Sequence, residues 1–103
     1  MNIQMKKGLL DECVLAALSR GESYGSRILK DLPDCLEISE STLYPILRRL
    51  EAGHCLSSHS VEHEGRLRKM YRITEEGRRQ LRLFLQEWKE VEFVYRYIEE
   101  GTH

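Results

Sequence analysis

Residues 41–51 read STLYPILRRLE, and the helix they predict has two unlike faces. Leu43, Ile46, Leu47 and Leu50 fall together at helical spacing, while Ser41, Tyr44, Pro45 and Arg48 fall opposite, with Thr42 and Arg49 on one flank. Residues 65–77, GRLRKMYRITEEG, follow as a basic turn running into an alternating strand and a fresh helix start. A polar, arginine-bearing helix followed within about 20 residues by a basic hairpin is how a winged helix-turn-helix grips DNA.

The net charge of −1 argues on its own against nucleic acid, but its distribution argues the other way. Residues 65–72 hold Arg66, Arg68, Lys69 and Arg72 with no acid among them. Residues 87–100 hold Glu87, Glu90, Glu92, Glu99 and Glu100 against only Lys89 and Arg96. Local sign, not the total, sets the potential that a phosphate backbone meets. The plainer alternative is a pair of solvated faces.

With 103 residues there is room for one small domain and a thin core, which dimerisation would supplement. Hydrophobic residues at 41% and charged residues at 32% exclude wholesale disorder. The charge-free run from Cys13 to Ser19 is far short of a membrane span. Asp11 and Glu12 stand after Lys6, Lys7, Leu9 and Leu10, where a signal peptide needs a continuous apolar stretch. The expectation is a cytoplasmic protein with no membrane contact.

Leu9 to Leu18 predicts a first helix, apolar nearly all round and so buried on more than one side, ended by Gly21. Ser23 is the expected cap of a second helix carrying Tyr24, Ile28, Leu29 and Leu32, which Pro33 halts. Ser39 is the expected N-cap of the third, in which Pro45 removes the amide bond to Ser41 and Gly53 is the stop. Leu56–Val61 and Lys69–Ile73 predict two strands joined around Gly65. Thr74 then caps a fourth helix, with Glu75 and Glu76 at its positive end. The expected fold is mainly α (α+β): a winged helix-turn-helix over residues 1–74 and a C-terminal dimerisation helix over 75–103, in one compact unit.

On the third helix, the short side chains of Ser41 and Thr42 permit close approach to a groove. Tyr44 can reach a phosphate, and Arg48 a phosphate or a guanine edge, with Arg49 beside them. Arg66, Arg68 and Lys69 would follow the backbone from the wing tip. On the fourth helix Leu81, Phe84, Trp88, Val91, Tyr95 and Ile98 form a heptad seam, widened by Leu85, Phe93 and Val94. Leu81 and Phe84 should cover the chain's own core. The part from Trp88 to Ile98 extends beyond it and should meet a second copy, which also supplies two recognition helices for a palindromic operator in double-stranded DNA. Trp88 is either a packing aromatic or, with its symmetry mate, a platform for a small, flat aromatic effector lined by Phe84, Val91 and Tyr95.

His54, Cys55, His59 and His63 suggest a metal, and alternate strand positions put Cys55, His59 and His63 on one face, but four-residue strand spacing holds those three about 13 Å apart. Zinc ligands must lie about 2 Å from one ion, so no metal is expected. Paired carboxylates, a nucleophile with its base, and a glycine-rich phosphate loop are all missing from the sequence, so neither enzyme activity nor a cofactor is expected. Cys13, Cys35 and Cys55 lack CxxC spacing and read as reduced thiols. A thiol-based redox or electrophile sensor on DNA, or a winged helix used only to bind proteins, are the alternatives.

The segments LDECVLAAL, SYGSRILKDL, TLYPILRRLEAG, GRLRKMYRITEEGRRQL and LQEWKEV together resemble the PadR family of bacterial transcriptional regulators over nearly the whole chain. The last three carry the specificity. The resemblance implies a winged helix with a single C-terminal dimerisation helix. It also implies a ligand-released repressor of detoxification, drug-efflux or phenolic-acid genes. By position it assigns Tyr44 and Arg48 to the recognition helix, Arg66, Arg68 and Lys69 to the wing, and Trp88 to a ligand-stacking role. Two departures stand out: Leu67 replaces a frequent proline, and AGHCL lacks the isoleucine-type residue usual after the glycine.

Overall fold

The computed structural model describes the backbone of residues 3–102 and the side chains of residues 8–102. Lys6 and Lys7 lie outside the described side chains. The chain runs α1 (Ile3–Ser19), β1 (Ser23–Tyr24), α2 (Gly25–Asp31), a 3-10 turn (Asp34–Leu36), α3 (Glu40–Ala52), β2 (Leu56–His63), β3 (Arg66–Ile73) and α4 (Glu75–Gly101). Three strands form one antiparallel sheet in the order β1-β3-β2. This is the mainly helical α+β winged helix with a long C-terminal helix that the sequence implies.

The core is made where apolar periodicity placed it. Val14, Leu15 and Leu18 of α1 meet Ile28 of α2, Leu36, the four apolar residues of α3, and Leu56, Tyr71 and Ile73 of the sheet. Full burial of such a side chain contributes about 1.5–3 kcal/mol, so these contacts rather than helix propensity hold α3 in place. Pro45 sits inside α3 on an exposed face, where its missing amide bond leaves the apolar side untouched.

One local expectation is corrected, and two hold in position with different detail. Ser23 does not cap α2; it belongs to β1 and pairs with Tyr71, while Tyr24 pairs with Met70 and occupies the N-cap position without a side-chain bond. The Ser23 hydroxyl is buried and without a hydrogen-bond partner among the described residues. Ser39 does hold the N-cap position of α3, but its hydroxyl bonds to Ser41 Oγ at 2.8 Å rather than to backbone. At the end of α3, Gly53 caps with an ordinary negative φ, and it is His54 that takes the left-handed conformation, at φ 64°.

Several elements are longer than expected. The first helix reaches back to Ile3, and the wing strands run on to His63 and Arg66, leaving a two-residue turn. Glu64 and Gly65 both have positive φ there, the geometry that matches the twist of a tight hairpin. Thr74 caps α4 as expected: its Oγ1 accepts the Gly77 amide at 3.1 Å and donates to the His54 carbonyl at 2.6 Å. The α4 start is thereby fastened to the end of α3. Its first half packs against α1, and the rest projects outward, giving a long dimension of 59 Å against 27 and 20 Å. Among the described residues no helix is long and apolar enough to cross a membrane.

Candidate nucleic-acid interface

Burial of Leu43, Ile46, Leu47 and Leu50 turns the opposite face of α3 outward. Ser41, Tyr44, Pro45, Arg48 and Arg49 are all exposed, as is Thr42. Among the described residues Arg48 makes no hydrogen bond or ion pair. Arg49 is committed elsewhere: its guanidinium is hydrogen-bonded and ion-paired to Asp11 of α1. Thr42 and Arg49 share the α1 side of the helix, around a shallow pit with Leu10, Pro45 and Ile46. The sequence named these two for DNA contact and set them on one flank of the helix; that flank is the α1 side, outside the cleft that Tyr44 shares with the wing.

Tyr44 lies on the other flank, and there α3 meets the wing. A cleft of about 750 Å³ opens between them, lined by Tyr24, Gly25 and Ser26, by Tyr44, by Tyr71, and by Arg66, Arg68 and Lys69 of β3. Recognition-helix and wing residues named from sequence thus share one surface. Arg48 stands one turn beyond Tyr44 and is near enough to act on the Tyr71 phenol. Burial is the main cause pushing the pKa of that phenol up; Lys69 and Arg48 oppose the shift, and Glu51 and Tyr44 add to it. The phenol therefore stays neutral at physiological pH and can donate a hydrogen bond.

The wing cations are held in different ways. Arg68 stacks over the Tyr24 ring, its Cζ 3.9 Å from the ring centre. Lys69 lies 5.5 Å from the Tyr71 ring centre and 3.6 Å from Glu51 Oε1. Arg66, beside the turn, has no ion pair among the described residues. Arg72 is not among the residues lining the cleft and is paired with Glu22, at 2.8 Å, and its hydrogen bond holds the Glu22 carboxyl below the usual carboxylate range. Leu67, where a proline is frequent in the family that the sequence resembles, is 79% exposed, and it pairs with Glu62 in an unbroken ladder. The wing stays regular without the proline.

Tyr24, Gly25 and Glu51 complete this surface, and the sequence did not single them out for it. Tyr24 carried a weak signal, an aromatic that the sequence placed in the first turn of the second helix. Glu51 carried none, since its partners Ser58 and Lys69 lie on other elements, the two wing strands.

Along α4, Leu81 packs on the core, and Phe84 is half-buried and stacked on Trp88 with ring centres 5.5 Å apart. Beyond them the seam is uncovered: Trp88 is 37% exposed, Val91 44%, Tyr95 62% and Ile98 58%. Among the cysteines, Cys35 is exposed, Cys13 half-buried and Cys55 buried. Burial is the main cause pushing the Cys13 and Cys55 thiols up, which lowers their thiolate fraction and their reactivity. Cys55 instead donates to Gln80 Oε1 at 3.1 Å, joining the end of the α3 turn to α4.

The model of the family described as transcriptional regulator PadR-like matches residues 14–83. A PadR family transcriptional regulator from Eggerthella lenta superposes with a TM-score of 0.83 at 35% identity, over 94% of this chain and 88% of that one. A Streptococcus mutans protein superposes with a TM-score of 0.81 at 39% identity, over 90% and 88%. The Bacillus subtilis PadR, solved in complex with operator DNA, shares the fold with a TM-score of 0.65 at 24% identity, over 75% of this chain and 46% of that one. With the family match running from α1 through the wing into α4, the chain belongs to the PadR-like family of transcriptional regulators.

Proposed function

We propose that this regulator binds double-stranded DNA at a palindromic operator, as a homodimer in the cytoplasm, and acts by binding rather than by catalysis. Residues 1–74 supply the grip and 75–103 the dimerisation helix. The observation that carries the reading is the shared cleft of α3 and wing, where Tyr44 faces Arg66, Arg68 and Lys69. In this reading α3 enters the major groove with Ser41, Tyr44 and Arg48, and the wing follows the adjacent backbone. The operator complex of the Bacillus subtilis protein is a precedent for DNA on this fold. Thr42 and Arg49, turned toward α1, approach the groove from its far lip. The uncovered seam of α4 supports the dimer, since exposed apolar rows of this length are covered in stable proteins.

The test is fluorescence anisotropy with the upstream region of the protein's own gene and with a random duplex. The parent should prefer the upstream region, and Arg48→Ala should lose about 1–3 kcal/mol of that preference if it reads a guanine edge. Equal affinity of parent and variant for both duplexes would remove the recognition-helix assignment and favour a protein-binding role.

The finer reading is a repressor released by a flat aromatic effector, controlling detoxification, efflux or phenolic-acid stress genes. Support comes from the stacked Phe84–Trp88 pair at the open seam, beside Val91 and Tyr95. A planar ligand held between two copies would gain about 0.5–1.5 kcal/mol per aromatic contact and shift the dimer away from half-site spacing. Titration of aromatic dyes against the parent and Trp88→Leu, followed by calorimetry, should show weaker binding to the variant; equal affinity would sink the ligand role.

A further inference from the structure

Glu51 stands in the last turn of α3, two turns beyond Tyr44 on the same flank. Its carboxylate spans both strands of the wing. Oε2 accepts the Ser58 hydroxyl from β2, and Oε1 lies 3.6 Å from Lys69 Nζ on β3. Ser58 is paired with Tyr71, and Lys69 with Ser60, so the two groups are diagonal neighbours across the hairpin. No other side chain of α3 is hydrogen-bonded or ion-paired to the wing among the described residues. The carboxylate is only one-third exposed, so removing one partner would leave the oxygen it held poorly solvated and unpaired.

We propose that Glu51 is a specificity-determining positioning residue, which holds the wing at a set distance from α3 so that the two meet DNA as one unit. The inference rests on the DNA-binding reading and adds to it how helix and wing are coupled. A random duplex asks only for phosphate contacts, which a loosened wing can find independently of the helix. A specific site asks for base contacts by α3 and phosphate contacts by the wing at a fixed spacing. A wing already ordered loses less freedom on binding there. Lys69 stays available to DNA in this arrangement, because an ammonium has three donors and Glu51 occupies one side of it. Removing the acid would make the potential around Lys69 more positive, so random affinity should hold or rise while specific affinity falls, and the two should converge.

The experiment compares the parent with Glu51→Gln and Ser58→Ala, using the duplex that the parent enriches from a randomised pool and a scrambled duplex of the same length. Glu51→Gln should cut the ratio of specific to random affinity about fivefold or more, with random affinity equal or higher. Ser58→Ala should shift the ratio the same way, and hairpin amides should exchange faster in both variants. A parent that enriches no duplex would overturn the DNA-binding reading itself. A parent that discriminates, with both variants keeping its ratio and its amide exchange, would overturn the assignment of Glu51 alone.

Discussion

A methyl group added at Gly25 would collide with the Tyr44 hydroxyl and lie 2.8 Å from its Cζ and 3.0 Å from its Cε1. Gly25 therefore decides where the Tyr44 ring rests, and with it where the hydroxyl meets a ligand. The ring is at the far end of its side chain and 37% exposed, so it has room to swing out. Gly25→Ala should change stability by less than about 1 kcal/mol, since alanine also suits the first turn of α2 better than glycine. Affinity for the preferred duplex should nevertheless fall by about 1.5–3 kcal/mol, the worth of a hydrogen bond to a charged group. Urea melts and anisotropy on the same samples separate the two; unaltered affinity would show that the hydroxyl is not used. At this scale Tyr44 and Arg48 can be read from the sequence because one helix's periodicity fixes which face they occupy. Gly25, Tyr24 and Glu51 cannot, because their roles are contacts between elements that no periodicity encodes.

Among elements, the wing shows where hydropathy stops informing. Leu56, Tyr71 and Ile73 are buried, so alternation marks the base of the hairpin. From His59 to His63 the residues are mostly exposed on both faces, and only backbone pairing with Arg66–Met70 makes them a strand. β1 is two residues long and has no period at all; it exists because β3 offers it an edge at Tyr71 and Met70. The charge of the wing is plain nonetheless, since four cations without an acid need no fold to be noticed. Replacing Arg66, Arg68 and Lys69 together with Gln should weaken binding to preferred and random duplexes alike. The slope of log affinity against log salt should become shallower by about 0.9 for each phosphate that the wing no longer neutralises. If affinity for the preferred duplex alone fell and the slope held, the wing would be reading bases rather than following the backbone.

For the whole molecule the decisive fact is that the core ends before the chain does. Leu81 is the last residue of α4 packed on the core, and every large apolar residue from Trp88 onward is at least 37% exposed. Alternating steps of three and four residues mark α4 as a seam, but a seam in sequence does not say where one chain's own cover stops. The packing of Leu81 and the half-burial of Phe84 locate that boundary. A chain cut after Gln86 keeps Thr74, Gln80, Leu81 and Phe84, and so keeps the cap, the Cys55 bond and the core packing that fasten α4. It gives up Trp88, Val91, Tyr95 and Ile98. The truncated chain should therefore stay folded, sediment as a monomer where the full chain should sediment as a dimer, and bind a single half-site. Its affinity for a two-half-site duplex should drop steeply, because engagement of the second half-site is no longer intramolecular. Sedimentation velocity, with circular dichroism on the same sample, reads both properties at once. A folded truncation that still dimerised would move the interface off the distal α4 seam, to a surface within the winged helix itself.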